Sequence, residues 1–253
     1  MLIDSHCHLY LKDLDADLPA VLERAANQDV TRVICPGIDL ETSRKSAIIA
    51  VEHQPVFAAV GIHPNYSTDL PGDYLNRLRS LAAAEKVVAI GEIGLDYYRD
   101  YCPRARQEEI FRQQLELALE LDLPVIIHNR SADADVIAIL KESRIKEGVA
   151  HCFSGGIQLA EQFLELGFYI SFAGNLTYKN SDLSIVAQNI LVDRLLVETD
   201  APFLSPVPFR GKLNEPGHTR FVALKLAAIK GMELAELAHS TRTNAEQLFG
   251  LTT

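Results

Sequence analysis

Only 8 of the 253 residues are histidine, yet two of them stand one residue apart near the start, in Asp4-Ser5-His6-Cys7-His8. On an extended segment alternate side chains share a face, so His6 and His8 point together and Cys7 points away. Further groups able to do chemistry close short apolar runs: Glu92 ends VVAIGE, His128 ends PVIIH, His151 nears the end of GVAHC, and Asp200 follows RLLVET. Singly, each has a bland reading. A lone strand-end histidine is commonly a hydrogen-bonded rim residue, and an acidic one commonly caps a turn. Gathered on one rim they would be costly to bury unless paired or bound to metal. Imidazole nitrogens with carboxylate oxygens suit zinc, manganese or nickel, and magnesium can serve the carboxylate side. Six ligands are too many for one tetrahedral ion and suit two ions sharing a carboxylate. The expected arrangement puts His6, His8 and Asp200 on one ion and His128 and His151 on the other, with Glu92 bridging. In such a site a bridging water is acidified and both ions clamp the oxygens of a displacement. Asp200 can also orient that water and accept its proton, which makes Asp200 and Glu92 the expected catalytic pair.

The elements that must position these groups follow a regular rhythm. Apolar, β-branched runs predict strands over 2–8, 31–36, 56–62, 87–92, 124–128, 148–152, 168–173 and 194–199. Amphipathic helical patterns lie between them, clearest over 103–122 and 156–167, and two more follow the last strand near 218–230 and 233–249. Eight β–α units predict one α/β domain over residues 1–253, a (β/α)8 TIM barrel with an extra C-terminal helix. A doubly wound open sheet is the structural alternative, weakened because no Gly-rich dinucleotide fingerprint follows the first strand. In a barrel the candidate ligands fall at the C-terminal strand ends, where barrel active sites are built.

Composition narrows the setting. No apolar run reaches the ~18–20 residues of a membrane helix, and no signal-peptide pattern is visible. The four cysteines are scattered without a CxxC, which suggests a reducing, cytoplasmic compartment. The formal charge of -10 gives no overall attraction for nucleic acid, so any such role needs a local patch or bound cations. No obligate protein partner is indicated.

The pair on the first strand is similar to the HxH of the amidohydrolase superfamily, with Glu92 where many binuclear members carry a carboxylated lysine. GEIGLDYY (91–98), HCFSG (151–155), ETDAPFLSP (198–206) and RGKLNEP (210–216), in that order, resemble the TatD family of metal-dependent deoxyribonucleases and hydrolases. The resemblance runs the length of the chain, and the six ligand positions show no departure from it. It implies a barrel, dependence on divalent metal, and hydrolysis of DNA phosphodiesters in the manner of a 3'-5' exonuclease. DNA as substrate comes from this resemblance alone. The acidic surface favours action on ends or single strands over tight duplex binding.

Other rim positions are candidate substrate contacts. His63, in GIHPNY, follows the third strand and can meet a phosphate or merely cap the turn at Pro64. Arg130, two residues past His128, and Arg210 on the last loop can hold phosphate oxygens or remain solvated. Tyr97, Tyr98 and Tyr101 can stack on bases or cover the barrel mouth. Two other functions compete. The same centre can hydrolyse another ester or an amide, such as a lactone, a phosphotriester or an aminoacyl-tRNA ester. A barrel that only binds metal or nucleic acid is disfavoured by the complete ligand set.

Overall fold

The computed structural model describes residues 1–251. Eight strands, β1 (Leu2–Asp4), β2 (Val30–Pro36), β3 (Val56–Val60), β4 (Val87–Asp96), β5 (Val125–Arg130), β6 (Gly148–Ala150), β7 (Tyr169–Phe172) and β8 (Leu195–Val197), pair in sequence order, all parallel. The gap between β8 and β1 is closed by main-chain bonds: Ser5 N–H donates to Val197 O (3.1 Å), Asp200 N–H to His6 O (2.9 Å) and His8 N–H to Ala201 O (2.8 Å). Helices separate the strands, and Thr219–Lys230 and Leu234–Phe249 follow the last. This is the expected (β/α)8 barrel with its extra C-terminal helix. The helix expected over 103–122 runs Arg104–Leu121. Among the described residues no helix is long and apolar enough to cross a membrane.

Alternate strand residues divide between two apolar layers. Ile3, Ile34, Ala59, Ile126, Val149 and Leu196 cluster in the lumen with Ala245, Leu248, Phe249 and Leu251 of the C-terminal segment. Their neighbours, including Val33, Cys35, Val60, Val125, Ile127, Leu195 and Val197, pack outward under the helices. The final helix therefore adds its apolar side to the lumen core. Asn244 fastens it, donating to the carbonyls of Val192 and Leu195 (2.9 Å each).

Several strands depart from the expected lengths, and two departures aim the chemistry. β1 stops at Asp4 and a bend falls at Ser5. Strict alternation from the lumen residue Ile3 would send Ser5 and Cys7 inward and both histidines outward. The bend resets it: Cys7 packs in the outer layer with Leu2. β4 continues past the expected end at Glu92 to Asp96. Ile90 pairs with Val125 and Ile93 with Ile127, three steps on β4 against two on β5, so β4 carries a one-residue bulge at Gly91–Glu92. Bulges re-aim side chains beside active sites, and this one accompanies an inward Glu92.

The rim is held by buried polar clamps. Gln107 and Gln114 lie two turns apart on one face of Arg104–Leu121. Gln114 accepts from Ile62 N–H (2.7 Å) and donates to Ile62 O (3.0 Å), fixing the chain just past β3. Gln107 does the same to Asp96 (2.9 and 3.1 Å), fixing the end of β4. Gly94 lets β4 and β5 approach: its φ is +142°, and a Cβ there would stand 2.0 Å from His128 O. Gly94→Ala is expected to destabilise the fold by about 3 kcal/mol or more, from backbone strain plus the clash. Urea unfolding checks this, and an unchanged midpoint would contradict the close approach.

Candidate metal centre

Six side chains from separate parts of the chain converge at the C-terminal mouth of the barrel. Glu92 is at the middle, buried, with its two oxygens turned to different neighbours. Oε2 lies 3.3 Å from His6 Nε2 and 3.7 Å from His8 Nε2. Asp200 completes that side, its Oδ1 3.4 Å from His8 Nε2 and 3.8 Å from His6 Nε2. Oε1 lies 2.7 Å from His128 Nδ1 and 2.9 Å from His151 Nε2. The two sides touch, since the rings of His6 and His151 stack with centroids 3.9 Å apart. The structure thus brings together His6, His8, Glu92, His128, His151 and Asp200. His6 and His8 lie beyond β1 rather than within it, His151 and Asp200 lie beyond their strands, and His128 sits inside β5.

The donor set fits divalent cations. Three overlapping groups, His6/His8/Glu92, His6/His151/Asp200 and His63/Glu92/His128, each bring three ligand atoms within 4.8 Å of one another. His6 Nε2 and His8 Nε2 face each other at 3.2 Å, a contact that a cation between them would relieve. Burial alone would raise the Glu92 carboxyl. The charges of His151 and His63 and hydrogen bonds from His128 and His151 hold it well below the usual carboxylate range. Glu92 is therefore anionic at neutral pH, the form that binds metal.

Around these groups stand buried partners that the motifs did not single out. Glu198 Oε1 accepts from Cys152 N–H (2.9 Å) and lies 3.3 Å from His151 Nδ1. A carboxylate there accepts from Nδ1 and fixes the ring so that Nε2 faces Glu92. Tyr10 Oη meets His8 Nδ1 at 2.9 Å, and Asp96 Oδ2 lies 3.4 Å from His128 Nε2. Asp4, fully buried, accepts from Thr199 N–H (2.9 Å), Thr199 Oγ1 (2.5 Å) and His6 N–H (3.2 Å). It ties the segment bearing His6 to the one bearing Asp200. Burial pushes its carboxyl up to about 7, against the pull of those hydrogen bonds. A faint signal existed: Asp4 and Glu198 each precede a candidate ligand by two residues, and Asp96 follows one by four.

The expected substrate contacts divide. His63 belongs to the cluster: it is buried, its Nε2 is 3.5 Å from Glu92 Oε1, and its ring lies 4.2 Å from that of His128. It also caps the turn at Pro64, accepting from Asn65 N–H. Burial, then the charge of His128, draws its imidazole down to about 3. Arg130 and Arg210 are exposed and sit on tyrosines, Arg130 Cζ 4.0 Å from the Tyr98 ring and Arg210 Cζ 3.8 Å from that of Tyr178. Tyr98 and Tyr101 are exposed, whereas Tyr97 donates to Glu108 (2.9 Å) and carries Arg104 on its face. In RGKLNEP, Asn214 is a loop clamp, donating to the carbonyls of Thr199 (3.0 Å) and Phe203 (2.6 Å).

Fold and cluster together define a barrel of the metal-dependent hydrolase class. Comparison with known proteins narrows this. A family model described as TatD related DNase matches residues 3–250. The chain is 44% identical to YabD of Bacillus subtilis (strain 168), over 98% of this chain and 99% of that one. It is 42% identical to YcfH of Escherichia coli (strain K12), over 98% and 95%. Both are described as uncharacterized metal-dependent hydrolases. The crystal structure of the TatD homologue YjjV from Escherichia coli K12 superposes with a TM-score of 0.95 at 34% identity, covering 99% of this chain and 98% of that one. The chain belongs to the TatD family of metal-dependent hydrolases.

Loss of a carboxylate that orients a metal-binding histidine commonly weakens metal affinity by about 10–100-fold. Glu198→Ala is expected to show that loss in a metal titration with a competing chelator, while keeping its circular dichroism spectrum. Wild-type affinity in the variant would remove Glu198 from this role.

Proposed function

We propose that the chain is a deoxyribonuclease of the TatD type, a 3'-5' exonuclease-like enzyme that hydrolyses DNA phosphodiesters with two bound divalent ions. The observation that carries the two-ion reading is the split of Glu92, whose Oε2 faces His6 and His8 while its Oε1 faces His128 and His151. One ion would be held by His6, His8 and Asp200 and the other by His128 and His151, with Glu92 common to both. Zinc, manganese, magnesium and nickel all suit parts of this donor set. Bound divalent ions supply an acidified water as nucleophile and positive charge for the departing oxygen. Asp200 orients that water and takes its proton; it is half-buried beside His6 and His8, open enough to reach substrate.

DNA as substrate rests on the matching family model, described as a TatD related DNase. The surroundings agree with a strand end. Arg130, at the end of β5, on Tyr98, and Arg210, on the last loop, on Tyr178, each pair a guanidinium able to hold a phosphate with an aromatic ring. The formal charge of -10 offers little to a long duplex, which binds through many lysine and arginine contacts.

Metal-stripped protein given magnesium, manganese or zinc is expected to shorten an end-labelled single-stranded oligonucleotide stepwise from its 3' end. His128→Ala is expected to be at least about 10²-fold slower, the scale of losing one group that stabilises transition-state charge. Shortening from the 5' end would overturn the polarity. Binding of about two ions with cleavage of carboxylic or aminoacyl esters, but not DNA, would move the function to another ester.

A further inference from the structure

Whereas His151 has a carboxylate behind it, the imidazole of His63 is held from behind by a main-chain N–H. Its Nδ1 accepts a hydrogen bond from the backbone N–H of Asn65 at 3.1 Å. A neutral imidazole that accepts at Nδ1 carries its proton on Nε2. Nε2 is the atom turned toward Glu92 Oε1, at 3.5 Å. His63 therefore presents an N–H to the centre, with no lone pair for an ion. His151 is held differently: Glu198 Oε1 lies 3.3 Å from its Nδ1, and its Nε2 faces the same Glu92 oxygen at 2.9 Å. The two rings meet one carboxylate oxygen, one backed by a main-chain N–H and the other by a carboxylate.

The placement of His63 is fixed by several buried contacts. Its own N–H donates to Ile38 O (2.9 Å), the preceding residue is clamped on both sides by Gln114, and Ser67 Oγ donates to its carbonyl (3.4 Å). A fixed, buried N–H among charged groups is the arrangement that stabilises negative charge developing on an oxygen, because no reorganisation is needed as the charge appears.

We propose that His63 is a catalytic hydrogen-bond donor, its Nε2–H directed at an oxygen of the scissile group on the His128 side of the centre, and not a metal ligand. In this role the ring donates a hydrogen bond and transfers no proton. The proposal rests on the hydrolase reading of the site and holds for a phosphate or a carbonyl oxygen alike.

The test compares wild type, His63→Ala and His63→Gln, the last of which keeps an N–H at similar reach. Metal per chain is measured by mass spectrometry after dialysis, independently of turnover. Activity is measured with manganese on the oligonucleotide and on bis(p-nitrophenyl) phosphate. The expected result is an unchanged metal complement in both variants and a kcat about 10²-fold lower in His63→Ala, the usual loss for one such donor. KM is expected to move far less, and His63→Gln to regain a substantial part of kcat. Loss of about one ion per chain in His63→Ala would make His63 a ligand and overturn the proposal. So would wild-type kcat in His63→Ala, or a His63→Gln no faster than His63→Ala. Wild type inert on both substrates would instead fell the hydrolase reading itself, a failure visible before any variant is compared.

Discussion

Everything at the mouth of this barrel depends on one buried carboxylate. Glu92 is anionic in a site that would by burial alone favour its neutral form, and imidazoles on two sides reverse that preference. The anion is stabilised only by positive charge and hydrogen-bond donors placed around it. The surroundings must supply cations, and the geometry of the donor atoms then dictates where they sit. The partition of the barrel follows from this. Its lower lumen is apolar and packed by Leu248, Phe249 and Leu251, and the ionisable cluster lies at the upper rim.

Six polar side chains drawn from separated segments cannot converge by strand geometry alone. Their backbones must be held to within fractions of an ångström. The protein does this with buried polar side chains that bond to strand-end peptides rather than to one another. Gln114 takes both polar groups of Ile62, Gln107 both of Asp96, and Asn214 two carbonyls of the last loop. Asp4 links the first and last segments across the closing seam. Leaving any one of these donors or acceptors unpaired inside the protein would cost about 1–3 kcal/mol, so the clamps stabilise the fold while fixing the site. Their partners cannot move without breaking them.

The rings of the centre are sorted by what stands behind them. A carboxylate stands behind His151, in Glu198, and a backbone N–H behind His63, in Asn65. Residues of one type in one cavity thus acquire different chemistry from neighbours outside it. At the outer edge the same economy of parts recurs, with tyrosine faces carrying Arg130 and Arg210 in an otherwise acidic protein.

The sequence by itself determined the alternation of strands and helices, hence the barrel, because periodicities of two and about 3.6 are local properties of the chain. It also marked all six groups of the centre, since metal chemistry restricts the choice to imidazole and carboxylate and barrel geometry restricts them to strand ends. Tertiary structure decided which way they point. By alternation alone His6 and His8 would face outward from a strand whose Ile3 is in the lumen; the bend at Ser5 turns them in. Glu92 gains its place from a bulge visible only in the register of β4 against β5. Glu198, Asp96 and the clamping glutamines were not read from the sequence, because a buried carboxylate or amide is recognised by the distant group it bonds. That pairing exists only once the barrel has closed.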